Sequence, residues 1–374
     1  MKAGYFHRVV AQTPTRFWIN NVTRKEAAMA IEAGAVGCTQ NPSYVWKMLN
    51  HPDECEHALA VLDRHIAQTV SDDEALIRTQ RELVSEVAKV FLPLYEASGG
   101  QAGFVSIQGN PFEESYEKIV EQGLFNREGG DNIMVKVPVI EAGLKAIRTL
   151  LDNGAPINAT EVFAVRQAMD VAELYREYAS ASKTAPAVYF SHITGIYDEY
   201  LTRQAARENI DISPDALWQA GIIIAKKVYH MTKCACPAVG FIGGGARGLQ
   251  HFTEMVGANA CITINWKGTA DKLLETDPPV VDRFRAPVSE AVLDELLTKM
   301  NDFRRGYMLD GITPPEYEGF GPVELFRDSF TDAWQKARAL AGERRAKLRC
   351  KKGWRKTVCS NATKYSQIPS RSAC

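Results

Sequence analysis

The sequence predicts an α/β protein built as a (β/α)8 barrel, followed by C-terminal helical additions and a basic, disordered tail. Short apolar runs typical of buried parallel strands alternate eight times with helical patterns. An open doubly wound sheet is the alternative, but no GxGxxG fingerprint follows the first strand. The predicted strands cover residues 17–21, 37–41, 103–109, 133–139, 156–162, 187–193, 238–242 and 260–265.

Start and stop signals support the helices between these strands. Thr23 followed by Glu26 forms a capping box, and Asn153-Gly154 ends a helix over 141–152. Further helices are predicted over 73–97, 217–231 and 270–274, and two more, over 289–303 and 323–340, follow the eighth strand.

The charge distribution separates a body from a tail. We assign residues 15–340 to the barrel with its C-terminal helices and residues 344–374 to the tail. The tail holds ten Lys and Arg and no acid, whereas the first 343 residues hold 34 basic and 45 acidic residues. Its weak apolar patterning predicts disorder. Two other interpretations of the tail stay open: an arm that contacts a polyanion, or a segment that folds back on the acidic body. Apart from such an arm, we expect no contact with nucleic acid.

Several protein classes are disfavoured by composition. No apolar run approaches the length of a membrane span, and the first 16 residues lack the apolar stretch of a signal peptide. Cys234 and Cys236 form a CxC pattern without a second pair at zinc spacing. We therefore expect a cytoplasmic protein with reduced thiols.

Lys136 is the strongest indication of chemistry. It interrupts the apolar strand 133–139, where Ile133, Val135 and Val137 share the parity expected for the helix layer. Lys136 should then point into the barrel. Burying an ammonium group is costly, and a lysine that loses its proton near neutral pH is a nucleophile for carbonyl carbon.

The other polar strand residues share the inward parity of Lys136. Each of them alone could belong to an ordinary polar layer of a barrel interior. None is an Asp or Glu, so Lys136 has no predicted carboxylate partner, which favours a lowered pKa and a Schiff-base role. The predicted inward residues are Asn20, Ser106, Gln108, Asn158, Thr160, Tyr189, Ser191, Thr263 and Asn265.

With these residues, the chain resembles the transaldolase family of class I aldolases. Thr39-Gln40-Asn41-Pro42-Ser43 resembles the family's Thr-x-Asn-Pro-Ser segment at the end of strand two. Met134-Val135-Lys136-Val137-Pro138 resembles its Schiff-base lysine segment, and Ile157-Asn158-Ala159-Thr160 its Asn-x-Thr strand. The resemblance covers most of residues 15–275.

The resemblance implies a barrel without metal or organic cofactor that acts in carbohydrate metabolism, in the pentose phosphate context. Lys136 would attack the carbonyl of a ketose or ketose phosphate, and cleavage would leave a dihydroxyacetone enamine for an acceptor aldehyde. Asn41 and Asn158 would bind donor hydroxyls, and Thr160 would hold the water that relays protons. The family also implies a homo-oligomer.

Two positions depart from the family's pattern. Asn20 stands where the family carries an aspartate, and Gln108 stands where typical transaldolases carry a glutamate. An amide cannot transfer the protons that dehydration and cleavage require. The replacement candidates are His192, Tyr189 and Glu161, of which histidine has the most suitable intrinsic pKa.

The predicted anion site also differs. Ser191 and Arg247 match the family's serine and second arginine, but Ile196 aligns with its first arginine. A glycine loop at 243–245 could bind an anion through its amides. We therefore expect a substrate whose terminal group is smaller, less charged or differently placed than in the family, or that carries no phosphate.

The sequence is compatible with three functions. The first is a transaldolase-like Schiff-base enzyme that cleaves or transfers a C3 ketol unit. The second is a catalytically silent barrel that binds a sugar or sugar phosphate, favoured by the two amides. The third, an aldolase for deoxyribose phosphate, is disfavoured because no second inward lysine is present.

Overall fold

A closed barrel of eight parallel strands, arranged in chain order, forms the centre of the protein. The computed structural model describes residues 4–182 and 184–365, with side chains through residue 349. It confirms the predicted fold class. The strands are β1 (Arg16–Asn20), β2 (Ala35–Thr39), β3 (Phe104–Gln108), β4 (Ile133–Pro138), β5 (Ile157–Val162), β6 (Val188–His192), β7 (Gly240–Gly243) and β8 (Cys261–Asn265).

Helices follow each strand and form the outer layer. The capping box at Thr23 is present, with its hydroxyl accepting from the Glu26 amide and the Glu26 carboxylate accepting from the Thr23 amide. The helices are α1 (Tyr5–Gln12), α2 (Arg24–Glu32), α3 (Ser43–Asn50), α4 (Cys55–Gln68), α5 (Asp72–Ala97), α6 (Tyr116–Arg127), α7 (Glu141–Asp152), α8 (Val165–Ala181), α9 (Thr194–Glu208), α10 (Pro214–Ala235), α11 (Gln250–Thr253), α12 (Asp271–Thr276), α13 (Glu290–Lys299), α14 (Asn301–Tyr307) and α15 (Gly321–Tyr365).

The C-terminal helices differ most from their predicted bounds. The helix predicted over 289–303 is divided between α13 and α14 at Met300, which has extended backbone angles and a fully buried side chain. The helix predicted over 323–340 is much longer, because α15 continues to Tyr365.

The lower half of the barrel interior is filled by large side chains. Trp18 and Tyr189 lie with their ring centroids 5.7 Å apart, next to Phe104 and Met134. A Cβ on Gly240 would lie 2.1 Å from the Tyr189 ring, so this close approach requires glycine. These side chains close the barrel interior beneath the cavity at the carboxyl ends of the strands.

Helix α15 extends the body beyond the boundary that the sequence predicted. Arg344 pairs with Asp63 at 2.6 Å, and Arg345 pairs with Asp72 at 2.6 Å. Ordered structure thus continues past residue 344, and these first two basic residues fold back on the acidic body. Residues 366–374 of the predicted tail lie outside the described residues. Within the described part of the chain, no helix combines the length and apolarity that a membrane crossing requires.

Candidate active site

A polar cavity of about 230 Å³ opens at the carboxyl ends of the strands, where barrel active sites lie. Phe326 and Phe330 of α15 cover one side of it. Its charged lining groups are Lys136 and Arg247, and the remaining polar lining consists of amides, hydroxyls and backbone. The cavity is lined by Asn20, Asn21, Thr39, Asn41, Ser43, Lys136, Ser191, Ile193, Gly244, Gly245, Ala246, Arg247, Thr263, Ile264, Asn265, Phe326, Ser329 and Phe330.

Lys136 points into the barrel from β4, as predicted. It lies in register with Gln108 on β3 and with Asn158 on β5. The residue is only 6% exposed. Burial lowers the pKa of its amine to about 8, and the nearby Glu161 charge opposes this shift. Near neutral pH, a much larger share of Lys136 is therefore the neutral, nucleophilic amine than in an ordinary lysine.

Asn158 lies beside Lys136 in a chain of hydrogen bonds. Its Nδ2 donates to Ser106 Oγ at 3.2 Å, and its Oδ1 accepts from Ser191 Oγ at 2.8 Å. Strands β3, β5 and β6 are thus tied together across the barrel axis. These contacts agree with the predicted inward parity of all three residues.

Asn20 belongs to a second network on the opposite side of the cavity. Its Nδ2 donates to Asn265 Oδ1 at 3.0 Å, and its Oδ1 accepts from Thr39 Oγ1 at 3.0 Å. Thr39 also contacts Thr263 Oγ1 at 2.8 Å. The group that stands in the family's aspartate position is therefore held by neutral partners.

Asn41 is fixed by the turn at the start of α3. Its Oδ1 accepts from Asn21 Nδ2 at 3.0 Å and from the Ser43 hydroxyl at 2.6 Å. With the carbonyl oxygen occupied, the Asn41 amide hydrogens are the groups left to bind a ligand hydroxyl.

Glu161 occupies an irregular position in β5. Its φ is 62°, and the pairing of β5 with β6 shifts register between Ala159 and Val162. This left-handed conformation costs an L-residue about 1–2 kcal/mol. The other non-glycine residues with positive φ in the described ranges are Asn or Asp, which tolerate it better. The bulge breaks the alternation of the strand and brings the Glu161 side chain to Gln108.

Gln108 and Glu161 form a buried pair next to the lysine. Gln108 Nε2 donates to Glu161 Oε1 at 3.0 Å, and both residues are at most 2% exposed. Glu161 Oε2 has no hydrogen-bond partner among the described residues. Burial raises the pKa of Glu161, while the charge of Arg327, the Gln108 hydrogen bond and the charge of Lys136 act in the opposite direction.

Arg327 of α15 neutralises this acidic cluster. Its Nε lies 3.1 Å from the Glu114 carboxylate and its Nη1 lies 3.0 Å from that of Glu318. Burial and the charge of Glu161 raise the pKa of Glu114 well above its usual range. A single guanidinium group thus faces three carboxyl groups behind Gln108.

Thr160 and His192 do not line the cavity, and neither do Gln108, Asn158 and Glu161. Thr160 is fully buried opposite Pro138, and its Oγ1 lacks a partner within the described part of the chain. His192 is also fully buried, with Nδ1 3.0 Å from Thr194 Oγ1. Burial, together with the charge of the nearby His251, lowers the pKa of His192 to about 3. His192 is therefore neutral and is not brought to Lys136.

Arg247 lies at the rim of the cavity and is already paired. Its Nε donates to Glu199 of α9 at 2.7 Å. The preceding loop packs on Gly195, where an added Cβ would lie 2.3 Å from the Gly245 carbonyl oxygen. Ile196, at the position of the family's first arginine, is buried. Among residues 4–182 and 184–365, no cluster of His, Cys, Asp and Glu could hold a metal ion.

Comparison with known proteins identifies the family. Residues 17–313 match the model of the transaldolase/fructose-6-phosphate aldolase family. The chain belongs to this family. Within the transaldolase family, its similarity to individual proteins is distant.

Curated relatives named transaldolase match part of the chain. The protein from Neisseria meningitidis serogroup C / serotype 2a is 25% identical over 233 residues, which cover 58% of this chain and 62% of the relative. The Thiobacillus denitrificans protein is 26% identical over 240 residues, covering 59% and 65%. The Mycobacterium ulcerans protein is 33% identical over 144 residues, covering 37% and 38%. The match thus spans about two thirds or less of each relative's length.

Sequence reasoning missed two residues of this transaldolase-family site, Glu114 and Arg327. Glu114 lies in a loop after β3 and Arg327 lies more than 200 residues later on α15. No local pattern joins them. Residues 1–343 contain more acidic than basic residues, but this excess does not indicate which of the charged residues are buried.

Proposed function

We propose that this protein is a Schiff-base aldolase or transaldolase that cleaves or transfers a C3 ketol unit from a ketose. The observation that supports it most directly is Lys136, a buried amine with a lowered pKa at the wall of a polar cavity. Membership in the transaldolase/fructose-6-phosphate aldolase family agrees with this chemistry.

The reaction begins with attack of the neutral Lys136 amine on the ketose C2 carbonyl. Loss of water from the carbinolamine gives an iminium ion, whose positive nitrogen accepts the electron pair of the breaking C3–C4 bond. The product aldehyde leaves, and the C3 enamine stays on Lys136 until an acceptor aldehyde or a proton captures it. Burial favours the first step because it disfavours the charged amine.

Two amides position the donor in this proposal. Asn158, in register with Lys136, and Asn41, across the cavity, bind hydroxyls of the bound sugar. Thr160, on the same inward strand face as Lys136, holds a water. Asn20, held by its neutral partners, orients the C1 hydroxyl of the ketose. Fixed hydrogen-bond partners keep Asn158, Asn41 and Asn20 in place before the substrate arrives.

In this proposal the far end of the substrate carries no phosphate, or it carries a phosphate that the protein binds weakly. Arg247 is paired with Glu199, so an incoming anion must compete with a carboxylate. Ile196 supplies no second guanidinium, and bidentate arginine contacts are the strong ones for phosphate. Ser191 Oγ already donates to Asn158.

Trapping of the covalent intermediate tests the proposal. The protein is incubated in parallel with phosphorylated, sulfonated and unmodified ketoses, reduced with borohydride and mapped by peptide mass. We expect a reduced adduct on Lys136, favoured by unmodified ketoses. Lys136→Ala should abolish labelling. Lys145→Ala, on the exposed face of α7, is the matched control and should retain it. No adduct on Lys136 with any ketose would refute the proposal.

A silent sugar-binding barrel is the second candidate. It is supported by Asn20 and Gln108, the amides that stand at the family's carboxylate positions. This function predicts that ketoses raise the melting temperature without labelling Lys136 and without aldehyde release. Aldehyde release that disappears in Lys136→Ala would exclude it.

A further inference from the structure

The bulge in β5 places a carboxyl group where strand alternation would not. Without the register shift, Thr160 and Glu161 would face opposite sides of the strand. Instead, the Glu161 carboxylate reaches the side chain of Gln108, which lies in register with Lys136. Bulges that re-aim a side chain, and unfavourable backbone angles kept at a single residue, are both common next to active sites.

One oxygen of Glu161 remains free to act. Oε1 accepts from Gln108, whereas Oε2 has no partner among the described residues, although the side chain is fully buried. The Gln108 amide therefore fixes the carboxyl group without using the second oxygen. The opposing charges of Glu161 and Lys136 are close enough for each to shift the pKa of the other.

The surrounding groups shift the pKa of Glu161 in opposite directions. Burial and the neighbouring Glu318 charge favour its protonated form. Arg327, which is paired with Glu114 and Glu318, favours the charged form together with Lys136 and Gln108. Burial thus lets Glu161 keep its proton to a higher pH than an ordinary carboxyl group, and a positioned carboxyl group with a raised pKa can serve as a general acid and base.

We propose that Glu161 is the proton carrier for both bond-breaking steps at Lys136, in place of the carboxylate missing at Gln108. In dehydration, the Glu161 carboxylic acid gives its proton to the carbinolamine hydroxyl, which leaves as water while the nitrogen lone pair forms the iminium bond. In cleavage, the resulting carboxylate takes the proton of the C4 hydroxyl while the C3–C4 electron pair moves into the iminium group. The carboxylic acid is thereby restored.

This inference rests on the proposed function, and one experiment separates the two. Borohydride trapping is followed over time in wild type and Glu161→Gln. The rates of adduct formation and aldehyde release should fall about 10²–10⁴-fold in the variant. The final amount of adduct on Lys136 should stay the same, because the nucleophile is intact. The wild-type dehydration rate should fall as the pH rises through the raised pKa of Glu161, and this fall should be absent in the variant.

Three further variants complete the test. Glu121→Gln, an exposed residue of α6 bonded to Lys118, is the matched control and should behave as wild type. The exchange Gln108→Glu/Glu161→Gln returns the carboxyl group to β3 and should restore at least about tenfold of the lost rate. If Glu161→Gln does not fold, Glu161→Asp is used instead, which keeps a carboxyl group on a shorter side chain. Its adduct should form more slowly than in wild type, and its rate should still fall as the pH rises.

Unchanged rates and an unchanged pH profile in Glu161→Gln, or an unchanged rate in Glu161→Asp, would overturn the role of Glu161 while leaving Lys136 as the nucleophile. Absence of any wild-type adduct on Lys136 would instead remove the proposed function and this inference together.

Discussion

Gln108 Nε2 and Glu161 Oε1 form a 3.0 Å hydrogen bond that joins β3 to β5 across the strand that carries Lys136. Gln108 is in register with Lys136, and the Glu161 carboxyl group that it binds belongs to a cluster of three carboxyl groups around Arg327. The charged groups of this arrangement are buried, so substitutions of them should change the free energy of unfolding as well as the reaction at Lys136.

Removal of the buried amine should stabilise the protein. Lys136→Met replaces a buried ammonium group by an apolar side chain of similar length, and we expect the free energy of unfolding at pH 7 to rise by about 1–3 kcal/mol. Denaturant titration at several pH values measures it. Since the pKa of Lys136 is lowered to about 8 in the folded state, the gain should be full below pH 8 and should fade towards pH 10.5, where the lysine of the unfolded chain also loses its proton. A gain independent of pH would contradict a charged, buried Lys136.

His192 should make the protein sensitive to mild acid. Its pKa is lowered to about 3, so below its ordinary value of 6.5 the unfolded chain binds a proton that the folded chain excludes. Its contribution to stability is complete above pH 6.5 and is lost as the pH falls, at up to about 1.4 kcal/mol per pH unit. The difference between wild type and His192→Gln, followed by denaturant titration between pH 7 and 5, isolates this contribution. Parallel curves would show that His192 is protonated in the folded state.

Arg327 should be essential for the acidic cluster. Arg327→Met leaves Glu114 and Glu161 buried without their cation, and we expect a loss of about 2–4 kcal/mol in the free energy of unfolding. Adding Glu114→Gln should recover part of that loss, because one unpaired carboxylate is removed. Arg207→Met, an exposed residue of α9 paired with its neighbour Glu208, is the control and should leave the free energy of unfolding nearly unchanged. Equal losses in the two arginine variants would contradict the role assigned to Arg327.

Release of Arg247 should improve anion binding. Glu199→Gln removes the carboxylate that holds the Arg247 guanidinium, so inorganic phosphate and ketose phosphates should bind about 3–10-fold more tightly. Calorimetric titration with inorganic phosphate and with a ketose phosphate measures this change. Glu208→Gln, on the same helix but paired with Arg207, should leave both affinities unchanged. An unchanged affinity in Glu199→Gln would mean that Arg247 does not face the bound anion.

Strand alternation predicted the barrel and most of the cavity wall, because the burial of one strand face is a local property of the sequence. The same alternation that turns Ser191 inward turns its neighbour His192 outward, so the intrinsic pKa of histidine, which made His192 one of three candidates, was the weaker guide. Glu161 was among the candidates, but its access to Gln108 depends on a bulge that no residue pattern indicated. The partners Glu114 and Arg327 meet only through the packing of α15, which is a property of the whole fold.

The bulge at Glu161 has a consequence for how descent is traced in such barrels. A comparison that runs along the chain, position by position, records Gln108 as an acid that was lost during divergence. A comparison by angle around the barrel axis finds a carboxyl group two strands further on, hydrogen-bonded to Gln108 and close enough to Lys136 for their charges to interact. Because eight strands surround one axis, a functional group can move to another position in the sequence and still lie near the same point of the barrel. Chains set aside as degenerate because an aligned acid is absent can then be searched for a relocated one.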